Sequence, residues 1–179
     1  DEFEVDFIPT LELGKYEYVK NHYINWCENI QDYDKINLET EIAGIPTIVS
    51  AGGIHSAIDN YMGTGNYWLY DISSYYPALM IEHGFLSRNV RNPKDFKQIR
   101  DDRLIMKENK DPREYPRKIV INATFGATKY IYNKLYDPRR ANEICFNGQL
   151  AIIDLAEKLE SVVTIIQKNT DGILFKVHN

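Results

Sequence analysis

A basic stretch of helical pattern interrupts a chain that is otherwise acidic, and no feature limits the fold more. Residues 88–140 hold 15 Lys/Arg against 7 Asp/Glu, a balance of +8, while the remainder carries −13. The net charge of −5 hides this split. Like charge gathered in one segment creates a local field that attracts phosphate. Taken alone, the same segment also suits a solvated helical surface. Within it, Lys94–Asn109 predicts a charged helix with Phe96, Ile99, Leu104 and Ile105 as a partial apolar face. Asp111 to Pro116 reads as a turn, and Pro116 is acceptable in the first turn of the next helix. That helix is expected from about Arg117 to Tyr136, despite Gly126, and Asp137-Pro138 closes it. Two helices joined by a short turn form an antiparallel hairpin.

The flanks have a different texture. Lys15–Asn29 is helix-like, and Ile42–Val49 is a β-branched strand broken by Gly44 and Pro46. Ala51-Gly52-Gly53 predicts a tight connection, since glycines permit positive φ and close backbone approach. Asn66–Ile72 reads as a strand by its aromatic content, and Ser73 or Ser74 is placed to cap a helix running to about Glu82. Gly84–Pro93 is loop-like. Arg140–Leu159 predicts a helix with Ile144, Leu150, Ile153, Ala156 and Leu159 as its core stripe. Val162–Gln167 and Ile173–Val177 are short apolar strands around the hairpin signature Lys168-Asn169-Thr170-Asp171-Gly172. The expectation is one α+β layer formed by residues 1–87 and 141–179, with residues 88–140 inserted as a helical hairpin.

Composition excludes some classes. With 44% hydrophobic and 26% charged residues over 179 positions, disorder is not the dominant state. The longest uncharged apolar-leaning stretch, Ile42–Ile54, is too short to span a bilayer and contains Pro46 and three glycines. The start, Asp1-Glu2-Phe3-Glu4, is not a signal peptide. Cys27 and Cys145 read as reduced thiols, and a cytoplasmic location is expected. The absence of an initiator Met and the strand-like end suggest a piece of a longer protein. His22, His55, His83 and His178 show no ligand spacing.

Three segments carry chemistry. In Asp71-Ile72-Ser73-Ser74-Tyr75-Tyr76-Pro77-Ala78, a carboxylate ends a hydrophobic strand just before a helix start, where N–H groups favour phosphate. Asn169-Thr170-Asp171-Gly172 offers carboxamide and carboxylate oxygens at a hairpin tip; each of these two segments also reads as ordinary turn chemistry. On the second basic helix, Lys118, Asn122 and Phe125 share a face at i, i+4 and i+7, and Arg103 and Lys107 are an i, i+4 pair on the first.

Together and in this order, the segments resemble the polymerase module of family B DNA polymerases, of a phage or prophage type. The family's first motif, Asp-x-x-Ser-Leu-Tyr-Pro-Ser, is matched by Asp71, Ser74, Tyr75, Tyr76, Pro77 and Ala78. Its Lys-x-x-x-Asn-Ser-x-Tyr-Gly motif is matched by Lys118, Asn122, Ala123, Phe125 and Gly126. Its Tyr-Gly-Asp-Thr-Asp-Ser motif is matched by Gln167 through Gly172. Ala51-Gly52-Gly53 is similar to the family's Gly-Gly element near the template. The likeness covers about residues 50–177. Departures are Gln167 for Tyr, Asn169 for the first Asp and Gly172 for Ser; the second Asp, the principal metal ligand, survives as Asp171.

The resemblance implies a palm of antiparallel sheet and helices (1–87 and 141–179) with a fingers hairpin (88–140). It implies primer–template DNA and a deoxynucleoside triphosphate as partners, and two Mg²⁺ ions, or Mn²⁺ in their place. Asp71 and Asp171 would bridge the ions, with the Ile72 carbonyl as a minor ligand. Ser74 and the Tyr75 amide would meet the β- and γ-phosphates. Arg103, Lys107 and Lys118 would clamp the triphosphate, Lys118 also serving as acid to the leaving pyrophosphate, with Asn122 beside them. Tyr76 would exclude a 2′-hydroxyl. The exonuclease and thumb modules of such a parent lie outside this chain. Two other readings stay open: a nucleotide- or nucleic-acid-binding module without catalysis, which Asn169 motivates, and a metal-dependent nuclease using the same carboxylates. Tyr76 and the Lys118–Gly126 helix argue against the nuclease.

Overall fold

The computed structural model describes residues 1–178. The fold is α+β, with a six-stranded antiparallel sheet and five α-helices. The chain divides into two compact units, one made of Asp1–Val5 with Ser74–Ile144, the other of Asp6–Ser73 with Cys145 onward. Among the described residues no helix is long and apolar enough to cross a membrane.

The second unit holds the sheet. Its strands are β1 (Leu38–Ile42), β2 (Ile45–Val49), β3 (Ile54–Ala57), β4 (Tyr67–Asp71), β5 (Val163–Asn169) and β6 (Gly172–Val177), ordered β1-β2-β3-β5-β6-β4. The single strand expected over Ile42–Val49 is instead the end of β1, a turn and β2. Ala43 and Gly44 both take positive φ (55° and 75°), the two-residue geometry that matches strand twist in a hairpin. The Ala43 amide donates to the Tyr16 hydroxyl at 2.7 Å, which in turn donates to Glu160 at 2.8 Å. Pro46 is tolerated because β3 pairs only with Thr47–Val49, so no neighbour on that side needs a donor from residue 46. Alternation then buries Ile45, Thr47 and Val49.

Helix α1 (Glu17–Asn25) follows a 3-10 turn at Gly14–Tyr16 and runs into a π-helical turn at Trp26–Ile30, so the helix expected over Lys15–Asn29 is one helical run of mixed pitch. Helix α5 (Pro138–Leu159) supplies the other half of the core. Phe146 stacks on Tyr23 with centroids 4.3 Å apart and meets Trp26 edge-on, and all three are fully buried.

The first unit is helical: α2 (Tyr75–Glu82), α3 (Pro93–Glu108), α4 (Glu114–Lys129) and the start of α5. Pro93 starts α3, where a missing N–H costs nothing. Arg103 reaches Glu114, and Phe96 and Ile99 line the same cleft as Val120 and Thr124, so α3 and α4 run antiparallel as expected. Helix α4 begins three residues earlier than its pattern suggested and stops at Lys129, not Tyr136. Tyr130 is extended, and Asn133 takes over the turn that follows: its amide donates to Tyr130 O (2.8 Å), and its side chain accepts from the Leu135 amide (2.9 Å). Asp137 is buried and accepts from the Arg88 backbone and guanidinium at 2.7–3.0 Å. Burial works against its charge, but the Arg88 hydrogen bonds and the Arg140 amide outweigh it and hold the carboxyl below its usual range.

Candidate functional site

The acidic constellation belongs to the sheet. Register pairs Asp71, the last residue of β4, with Gly172, the first of β6. Thr170 and Asp171 form the two-residue turn between β5 and β6, a tighter tip than the five residues expected. The Ile72 amide donates to the Asp171 carbonyl at 2.9 Å. Asp71 therefore ends β4, and Asp171, a hundred positions on, sits in the turn that leads into the neighbouring β6; both are exposed, with half-buried Ile72 beside them. Asn169 is exposed and accepts from Gln167 at 3.2 Å.

Gly172 has a steric reason. A Cβ there would lie 2.9 Å from the Tyr70 carbonyl and 3.6 Å from an Asp71 carboxylate oxygen. A serine would push β4 away from β6, so the close seating of Asp71 requires this departure from the resembled motif. Gly53 has a similar role, since a Cβ on it would collide with the Thr170 side chain. The Gly-Gly connection thus packs directly on the turn that carries Asp171.

Sequence reasoning missed what holds this turn. Ser50 donates to Gly53 O through its amide (3.1 Å) and hydroxyl (2.9 Å), and the Gln149 side chain on α5 donates to Ser50 O at 2.8 Å. Lys168 is fully buried and donates to Ile42 O at 2.8 Å. Burial pushes its amine down to about 8, the Glu160 charge opposing. A polar residue next to the α5 apolar stripe is the one signal Gln149 offered. Lys168, next to a turn motif, offered none.

The donor set suits a hard divalent cation. Mg²⁺ takes one or two carboxylates and completes its shell with water and substrate phosphate. Among the described residues no three His, Cys, Asp or Glu side chains converge, so side chains alone form no metal cage there.

The cationic constellation lies on the helical unit. Arg103 is buried, donating to Glu114 at 3.0 Å and to the Ser74 hydroxyl. Ser74 has left-handed φ (54°) and makes no side-chain cap, so the expected capping role is replaced by this bond to Arg103. Lys107 lies one turn beyond Arg103, exposed. Lys118 and Asn122 are exposed one turn apart on α4, and Lys118 has no carboxylate within ion-pair reach among the described residues. Tyr75 is buried; half-buried Tyr76 meets Phe125 with centroids 4.5 Å apart, and Lys129 lies over the other ring at 4.9 Å. Gly126 has open space where a Cβ would be, so nothing in the protein itself demands glycine there.

No family model matches the chain, and no curated protein matches it.

Proposed function

We propose that this chain is the catalytic core of a template-directed DNA polymerase, its palm and fingers portions, similar to the family B enzymes. The observation that carries the reading is the pairing of Asp71 with Gly172, which sets the end of β4 beside the turn residue Asp171. Two bound divalent cations would activate the primer 3′-hydroxyl and neutralise the triphosphate. Asp71 and Asp171 would hold them, with the Ile72 carbonyl as a minor ligand. Lys118, Lys107 and Arg103 would neutralise the triphosphate, with Arg103 exchanging Ser74 for a phosphate oxygen while keeping Glu114. Ser74, thus released, and the Tyr75 amide would hydrogen-bond the β- and γ-phosphates. Lys118 would protonate the leaving pyrophosphate, and Asn122 would bond the same group. Tyr76, backed by Phe125, would present its ring to the sugar and exclude a 2′-hydroxyl.

The test is incorporation of a deoxynucleotide onto a primed template with Mg²⁺ or Mn²⁺ by the protein that carries this chain. Asp71→Ala and Asp171→Ala should each abolish it while the thermal melt is kept; activity in either variant removes the assignment. In the 179-residue chain alone, Mn²⁺ binding followed by water-proton relaxation should fall in both variants. A second reading, nucleotide binding without catalysis, is favoured by Asn169, whose neutral amide replaces a carboxylate. It gains if Asn169→Asp creates incorporation that the parent lacks.

A further inference from the structure

We propose that the end of α4 and the loop after it, residues 129–134 (Lys-Tyr-Ile-Tyr-Asn-Lys), form a stacking site for single-stranded nucleic acid. Tyr130 and Tyr132 are 60% and 84% exposed, and Ile131 between them is 64% exposed. Large rings held in water leave unused the strongest apolar contribution a side chain offers. The loop is not slack. The Asn133 turn fixes its centre, the Asp137 amide ties back to Thr128 O at 2.9 Å, and Ser87 and Asn89 donate to the carbonyls of Leu135 and Tyr136 at 2.9 and 2.8 Å. A pre-ordered backbone presents the tyrosines, whose rings meet edge to face at 5.6 Å.

Charge selects the occupant. Between Glu114 and Asp137 the sequence contains Arg117, Lys118, Lys129 and Lys134 and no acidic residue. Lys129 and Lys134 flank the tyrosines, and neither has a carboxylate within ion-pair reach among the described residues. An open cleft of about 560 Å³ adjoins the loop, lined by Phe96, Ile99, Val120 and Leu135 together with Arg91, Lys134 and Asp95. Two aromatic faces flanked by lysines beside an apolar cleft fit a polyanion whose bases are unpaired, because only an unstacked base offers its π-face. Duplex DNA offers phosphate alone. As a template contact the site rests on the polymerase reading; as a single-strand contact it does not.

The experiment is fluorescence anisotropy of a labelled oligothymidylate, and of a labelled duplex of equal length, with the 179-residue chain in EDTA. Tyr130→Ala and Tyr132→Ala should each weaken single-strand binding roughly tenfold, within the range of stacking on one aromatic side chain. Tyr130→Phe and Tyr132→Phe should keep it, and duplex binding should not change. Replacing Lys129 and Lys134 by Ala should lower the salt dependence by about 0.7 per lysine. Alanine variants that bind the oligothymidylate like the parent would assign the tyrosines to another partner and overturn the proposal. Equal weakening toward single strand and duplex would overturn it as well. Because the assay contains no metal and no nucleotide, its outcome is independent of incorporation and of Asp71.

Discussion

Lys168→Met removes an amine that the sheet buries completely. In the folded protein the amine titrates at about 8 against an ordinary 10.5, because burial disfavours its charge. The sign follows from proton counting. Between pH 8 and 10.5 the unfolded chain binds a proton that the folded chain has released, so folding stability should rise with pH across that window. The depression corresponds to about 3 kcal/mol over the whole interval, at 1.36 kcal/mol per pH unit. Cys27 works in the opposite sense: burial raises its thiol from 9 to about 11, and stability tied to the neutral thiol is lost as pH rises through that range. Comparing parent with Lys168→Met cancels Cys27, which both contain. The assay is urea unfolding followed by tryptophan fluorescence, to which fully buried Trp26 and exposed Trp68, both in the same unit, contribute, at pH 7.5, 9 and 10.5. The parent should gain on Lys168→Met as pH rises, even if the loss of the 2.8 Å bond to Ile42 O makes the variant less stable overall. Parallel stability curves in the two proteins would show that water solvates the amine, and the reasoning would fail.

Further outcomes concern single residues. Gly172→Ser should destabilise the sheet by roughly 1–3 kcal/mol, as overpacking does, and weaken Mn²⁺ binding by displacing Asp71; both are read from a melt and a relaxation titration. Gly126→Ala should stabilise α4 by up to about 1 kcal/mol in thermal unfolding, since its Cβ meets nothing. A simultaneous loss of incorporation would mean that substrate approaches the backbone there. Asp137→Asn should cost about 2 kcal/mol at pH 7, less than a fully buried pair because Arg88 is half in water. The Asp137 contribution is present above the ordinary carboxyl range and is lost as pH falls through its lowered folded value. The difference between parent and variant should therefore shrink in acid.

Much of the fold was legible for reasons that are local. The aromatic run Tyr67–Tyr70 read as a strand and is one, and Asn-Thr-Asp-Gly between two apolar runs read as a hairpin and is one. The +8 segment was helical by its spacing. What failed was the reading of length: α4 stops at Lys129 and Tyr130 turns extended where the pattern carried the helix on to Tyr136, and Ala43 accepted a left-handed conformation that favours glycine. Of the candidate site, the types and order of Asp71, Asp171, Arg103, Lys107, Lys118 and Asn122 were visible in the sequence. The support at Gln149 was not, because ten successive residues of α5, from Ala141 to Leu150, are buried and periodicity marks only one face; Lys168 was not, because it lies on β5 beside a turn motif.

The sequence by itself determined which side chains supply the carboxylates and cations of the candidate site, and in what order they occur. Tertiary structure decided which way they face. Strict alternation from Val163 and Ile165 would send Gln167 into the core and Lys168 into water. A bulge between Ile165 and Gln167 inserts one residue, so Ile166 is buried as well, Lys168 turns inward and Asn169 turns out. Because side chains in a strand alternate with a period of two, one extra residue reverses every position after it. No local propensity specifies that insertion; it follows from the pairing of β5 with β3 on one side and β6 on the other.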